Sequence, residues 1–255
     1  MTTFPDHEII RNMEAGKLVI NGIPDQIGPA SYELRMGDVY YDLTESDHPI
    51  NVKEFGTVLI KPGHQVVLIT LEKLEIPDNL IARIVSKGSF FSLGLSAVCT
   101  YADPGFDGHI GIVTHNISDK YIEIPIGQSI AKVDFSTLNE SVANPYKGQH
   151  GFHTKIWPVR HDLQKEYSEI ANDSRVQSEK EEALKLLPYS TKVLLNRLEK
   201  KQRISDRIII AVVILNALAF IAVYYTDVDA LTAMFSNLFV SLLAGIILTF
   251  WKFED

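Results

Sequence analysis

Between residues 32 and 151 the chain never runs far before a turn stops it. Short apolar segments lie at residues 58–60, 66–70, 80–85, 96–100, 110–115 and 121–124. Lys61-Pro62-Gly63, Ile76-Pro77-Asp78-Asn79 and Pro125-Ile126-Gly127 punctuate them. Proline removes a ladder donor and glycine supplies turn geometry, so long helices are excluded here and short strands favoured. Many short strands at regular spacing predict a sandwich or a jelly-roll-like barrel. Ahead of this block, Asp6 can cap a helix over residues 8–15 that Gly16 ends, a short strand covers 17–20, and residues 21–31 read as loop.

Residues 101–116 are the most informative part of the block. The stretch Asp103-Pro104-Gly105-Phe106-Asp107-Gly108 cannot be ordinary strand. The part after it alternates, with Ile110, Ile112 and Thr114 on one face, and reads as a strand leaving a tight turn. A plain β-hairpin satisfies this pattern. A nucleotide pocket satisfies it too, because the turn fixes the Asp103 carboxylate beside the flat Phe106 ring.

Five segments in fixed order carry a resemblance. They are Pro29-Ala30-Ser31-Tyr32-Glu33-Leu34-Arg35-Met36-Gly37, Ser86-Lys87-Gly88-Ser89 with Leu93-Gly94-Leu95, the Asp103 turn, Gly127-Gln128-Ser129-Ile130-Ala131-Lys132, and Tyr146-Lys147-Gly148-Gln149-His150-Gly151-Phe152. Together they resemble the dCTP deaminase and trimeric dUTPase superfamily over residues 1–158. The resemblance implies a mainly β, jelly-roll barrel that binds a nucleotide as a homotrimer, with sites between subunits and Mg²⁺ bridging the phosphates. It implies Asp103 as the catalytic residue. It implies nucleotide contacts from Arg35, Lys87, Ser89, Phe106, Gln128, Lys132, Tyr146, Lys147, Gln149 and Phe152. Arg35 can instead pair with a carboxylate inside the barrel, and Phe152 can stack on a base or plug the barrel.

The same resemblance separates two chemistries. Deaminases of the superfamily carry a glutamate ten residues beyond the turn aspartate as general acid/base. Here that position is Val113, which cannot move a proton. In dUTPases the aspartate orients the attacking water, and that requirement survives. Lys87-Gly88 and Lys132 depart from the family's arginine-serine pair and glutamine; lysine keeps the charge and loses the bidentate fork.

Net charge is −8, so a global basic footprint for nucleic acid is missing and no nucleic-acid partner is expected. The single cysteine, Cys99, rules out an intrachain disulfide and a multi-cysteine zinc site, and its apolar run suggests a core residue. His109 and His115 share a strand face but lie far apart along it, so no resident metal site is expected. The first ten residues hold Pro5, Asp6 and Glu8 without an apolar core, so no signal peptide is expected.

After Trp157-Pro158 the texture changes. Residues 159–206 are charged and helix-permissive, interrupted by Pro188, and read as a linker or stalk. Residues 208–225 and 230–251 carry no charge. Within a segment 207–255 they read as two transmembrane helices, the first barely long enough. Lys200, Lys201, Arg203, Arg207 and Lys252 flank them, which places both termini on the cytoplasmic side of an inner membrane. The expectation is therefore a nucleotide sensor coupled to a lipid-bilayer effector, by analogy one of bacterial antiviral defence. The alternative is an active enzyme on pyrimidine deoxynucleoside triphosphates: a dUTP or dCTP diphosphatase, less readily a dCTP deaminase.

Overall fold

A computed structural model of the protein describes residues 2–148 and 151–225, with isolated helical positions at 232, 238, 239, 241 and 245. The chain divides into two units, Met1–His161 and Asp162–Asp255.

The first unit is β-rich. It holds α1 (Asp6–Glu14), β1 (Leu18–Ile20), β2 (Ile27–Gly28), β3 (Ser31–Asp42), β4 (Pro49–Asn51), β5 (Thr57–Ile60), β6 (Gln65–Glu75) and β7 (Leu80–Ser86). Then follow α2 (Gly88–Ser92), β8 (Cys99–Ala102), β9 (Asp107–His115), β10 (Ile122–Pro125), β11 (Ser129–Thr137) and α3 (Gly151–Thr154). Strand order in the main sheet is β1-β6-β3-β11-β7-β8, with β2 and β4 also on β3 and β9 on β6; β10 pairs with β5 separately. All of these pairings are antiparallel.

β3 joins two layers. Tyr32 to Arg35 pair with β11, and Met36 to Asp42 pair with β6. Gly37 sits at the change of partner, where a Cβ would come within 2.9 Å of the Ile69 carbonyl oxygen. Alternation along the strands sends Tyr32, Leu34, Met36, Val66, Leu68, Ile84, Ile110, Ile112, Val133 and Phe135 into one core. A smaller cluster covers the outer face of β3, β6 and β9. There Tyr41, Val67 and Ile69 meet Val113, Phe152 and Trp157.

The strand end after β9 is fixed by a buried amide. Asn116 Nδ2 donates to the Ile60 carbonyl at 3.2 Å and to the Lys120 carbonyl at 2.8 Å, while Oδ1 accepts from Ser118 N–H at 3.0 Å and from the Ser118 hydroxyl at 2.7 Å. Its backbone accepts from Gly63 N–H and donates to the His64 carbonyl, so the β5–β6 turn hangs on it.

Several expectations are corrected. Helix α1 begins at Asp6 with Pro5 as its N-cap, so Asp6 lies in the first turn instead of capping it. Residues 21–31 contain a 3-10 turn, Pro24–Gln26, and β2. Cys99 is exposed on the edge strand β8, because β8 begins three residues later than its apolar run suggests.

A 3-10 turn, His161–Leu163, spans the division between the units. The helices of the second unit are α4 (Tyr167–Ile170), α5 (Glu179–Leu186) and α6 (Tyr189–Tyr225). Ser178 and Glu181 form a reciprocal capping box on α5. Pro188 separates α5 from α6. No helix among the described residues is long and apolar enough to cross a membrane. The uncharged end of α6, residues 208–225, rises only about 27 Å against a hydrocarbon core of about 30 Å. The second expected span, residues 230–251, lies outside the described residues apart from the isolated positions. The two transmembrane helices, the lipid-bilayer partner and the membrane localisation read from the sequence are therefore withdrawn, and the effector role that depended on them with them.

Asn116→Ala should cost about 1–3 kcal/mol, because it removes the amide's bonds to the buried Ile60 carbonyl and to the half-buried Ser118 N–H. Urea unfolding followed by fluorescence measures it; a loss below about 1 kcal/mol would mean that water replaces the amide.

Candidate functional site

The turn that carries Asp103 is fixed from both sides. Phe106 N–H donates to the Asp103 carbonyl at 2.9 Å, and Gly105 takes φ +89°, a conformation glycine adopts without strain. Gly105 N–H donates to the Ile76 carbonyl at 2.9 Å, and Ile76 N–H donates to the Phe106 carbonyl at 2.8 Å. On the other side Tyr146 N–H donates to the Pro104 carbonyl at 2.7 Å. A Cβ on residue 105 would lie 2.7 Å from the Pro145 Cβ, so only glycine lets the 145–146 segment close. The Asp103 side chain is exposed, and no hydrogen bond or ion pair engages it among the described residues. Phe106 is 8% exposed, with its ring 5.7 Å from the Tyr146 ring. The surface beside Asp103 is thus Tyr146 laid over Phe106, and Tyr146 is the more accessible ring.

The candidate phosphate-binding lysines lie elsewhere on the sheet. Glu33 and Lys132 face each other across β3 and β11, and Lys87 N–H reaches the Ile130 carbonyl. The Glu33 carboxylate takes both lysines, Lys87 Nζ at 2.5 Å and Lys132 Nζ at 3.5 Å. The hydrogen bond from Lys87 holds its carboxyl below the usual carboxylate range. Ser89, Gln128 and Lys147 are exposed. Gln149 lies outside the described residues.

Arg35 points into the fold. Its Nε donates to Glu72 Oε1 at 2.6 Å and its backbone N–H to Oε2 at 2.8 Å. Glu72 has no exposure. The Tyr32 hydroxyl also donates to Oε1, at 3.1 Å, and burial pushes the phenol up to about 12. Of the two roles open to Arg35, the structure displays the structural one. Next along β6, the Thr70 carbonyl lies 2.9 Å from His109 Nδ1, and the His109 ring packs edge-on to Phe152 at 5.0 Å. Phe152 therefore rests on the outer face of its own β unit. Val113 belongs to the same apolar patch as Phe152 and Trp157, which leaves no proton carrier where the deaminase glutamate is expected.

The register separates the parts. Ala82 faces Ala102 and Val85 faces Cys99, so Asp103 lies beside the start of β7 and Lys87 follows its end. At about 3.3 Å per residue the two are roughly 20 Å apart. No single phosphate can touch both within one chain. Sequence reasoning missed Glu33 and Glu72, which determine what the cations do. Glu33 at least stood in plain view, two residues before Arg35 in the same motif.

A family described as "dCTP deaminase-like" matches residues 3–138. A "dCTP deaminase, dUMP-forming" of Dictyoglomus thermophilum is 32% identical over 177 residues, covering 60% of this chain and 91% of the relative. A "dCTP deaminase" of Pyrococcus horikoshii is 27% identical over 132 residues, covering 52% and 83%. Among solved structures, 2′-deoxycytidine 5′-triphosphate deaminase from Agrobacterium tumefaciens aligns at 16% identity and a TM-score of 0.46, over 53% of this chain and 47% of that one.

Arg35→Met should destabilise the protein by about 3–5 kcal/mol, since it leaves Glu72 charged and buried. Adding Glu72→Met should return most of that loss. Denaturant melts of the three variants decide it: a double variant as unstable as Arg35→Met would mean the two side chains do not act as a pair.

Proposed function

Since the chain belongs to the dCTP deaminase-like family, we propose that its β unit hydrolyses the phosphate chain of a pyrimidine deoxynucleoside triphosphate and leaves the base unaltered. The name dUMP-forming describes a conversion of dCTP that removes an amino group and two phosphates. The observation that carries our reading is the contrast between two positions on the Asp103 strand and turn. Asp103 is exposed and unengaged on a rigid turn, fit to orient a water; Val113 is packed among Tyr41, Phe152 and Trp157. A positioned carboxylate can orient a water, whereas deamination needs a proton donor and acceptor at the base.

The roughly 20 Å between Asp103 and the lysine pair favours a ligand bound between two copies, with Asp103 from one and Lys87 and Lys132 from the next. A closed homotrimer repeats such a contact three times. Mg²⁺ enters as the counterion of the triphosphate and so as part of the substrate. The exposed Asp103 carboxylate is compatible with it, and the lysines would meet phosphate oxygens. Tyr146 supplies the accessible ring for the sugar or base, and Ser89, Gln128 and Lys147 add exposed polar contacts near the two ends.

Binding without turnover is the second reading. It is favoured by Glu33, which already pairs with both lysines, so a phosphate must compete with a carboxylate to bind them.

One set of incubations separates these readings. Full-length protein with dCTP or dUTP and Mg²⁺ should yield a monophosphate that keeps its base, and Asp103→Asn should lower the rate by about 100-fold or more. Uracil product from dCTP would overturn the base-sparing reaction, and saturable binding without product would select the second reading. Glu33→Gln should tighten binding of triphosphates and leave nucleosides unchanged. Mixing Asp103→Asn chains with Lys87→Met chains should restore activity in about a quarter of sites if each site draws on two copies. Failure of the mixture beside two inactive parents would place the site within one chain.

A further inference from the structure

At the far end of β3 from the Glu33 cluster, a buried carboxylate meets an imidazole and a second carboxylate. Asp42 is the last residue of β3 and is 1% exposed. Its Oδ2 lies 2.8 Å from His64 Nδ1, and its Oδ1 accepts from Thr44 N–H at 3.2 Å. Glu45 sits in the turn that follows, where its N–H and that of Ser46 donate to the Asp42 carbonyl at 3.0 and 2.8 Å. One ligand atom from each of Asp42, Glu45 and His64 lies within 4.8 Å of the other two.

The charges here do not balance. Two carboxylates share one permanent cation, Lys61, and that ammonium pairs with the exposed Glu45. Among the described residues, the buried Asp42 side chain meets a backbone N–H and the His64 imidazole, and no lysine or arginine. A charge this deep is stabilised by a paired or coordinated cation.

The geometry is also fixed in advance. His64 follows the Lys61-Pro62-Gly63 turn, which the buried Asn116 pins at Gly63 N–H, at the His64 carbonyl and at the Ile60 carbonyl. Thr44 Oγ1 accepts from Gln65 N–H at 2.9 Å, and Leu43 N–H donates to the Gln65 carbonyl at 2.8 Å, so the two segments that carry the ligands are tied to each other. Ligands held on strand ends and short turns need little reorganisation to bind.

We infer that Asp42, Glu45 and His64 form a binding site for a divalent transition-metal ion, Zn²⁺ or Mn²⁺, separate from the nucleotide site. One nitrogen and two carboxylate oxygens suit those ions. The ion takes the place of the proton between Oδ2 and Nδ1, and that one imidazole proton moves to Nε2, which leaves the Nδ1 lone pair to the ion. The two atoms need to part only from 2.8 Å to the span of two ligands around one ion, with bonds of about 2.0–2.2 Å. Lys61 leaves Glu45, and water fills the open position. The bound ion ties the end of β3 to the β5–β6 turn.

Calorimetric titration of chelator-treated full-length protein with ZnCl₂, and separately with MnCl₂, tests this without any nucleotide. One ion should bind with micromolar affinity. His64→Gln and Glu45→Gln should each weaken it about tenfold or more. Lys61→Met should tighten it, because the competing ammonium is gone. Glu45 and Lys61 are half-exposed, so these two variants keep the fold even where His64→Gln does not. Absence of stoichiometric binding by either ion, binding unchanged in Glu45→Gln, or weaker binding in Lys61→Met would each overturn the site.

Discussion

A carboxylate shut off from water holds the place where the two layers of the β unit meet. Glu72 gathers the Arg35 guanidinium, the Arg35 N–H and the Tyr32 hydroxyl, all from β3, onto β6. Thr70 bridges the same bulge, with its hydroxyl donating to the Glu72 carbonyl and accepting from Ile110 N–H on β9. Three strands thus converge on a few polar groups just where β3 changes partner. A buried ion pair adds little net stability against an apolar replacement, but half of one is costly. Its contribution here is to fix register: a one-residue slip of β3 would bury Glu33 and Arg35 and expose Tyr32, Leu34 and Met36.

That arrangement governs what remains for ligands. Arg35, the strongest anion-binding side chain among the candidates, is already engaged. Lys87 and Lys132 share the single Glu33 carboxylate. Asp103, by contrast, stands clear on a turn held by backbone bonds to Ile76 and Tyr146. The antiparallel β7 then acts as a ruler, keeping the acidic and basic parts of the proposed site at opposite ends.

The sequence made the strand-and-turn architecture legible because it depends on local signals. Proline and glycine mark turns, and alternation marks strand faces, within a few residues of where they act. The Asp103 turn was readable for the same reason. The ion pairs were not, because Glu33–Lys87 and Arg35–Glu72 join residues far apart in the chain, and any of several carboxylates could have taken those partners. Cys99 was misjudged because an apolar run does not reveal that its strand lies at a sheet edge. The uncharged C-terminal segments looked like spans by composition, yet no helix among the described residues is long and apolar enough to cross a membrane, and the second segment lies outside them.

The outer face of β9 carries one further consequence. Trp157 lies so close over Gly111 that a Cβ there would sit 2.3 Å from Cη2 of the indole. The indole also packs against Tyr41, with ring centroids 5.6 Å apart, and its backbone N–H donates to the Asp47 carbonyl at 3.0 Å. Positions 111 and 157 are therefore coupled by volume. In homologous sequences a side chain at the first should coincide with a smaller residue at the second, and that paired change would mark lineages in which the segment after the barrel has found another seat.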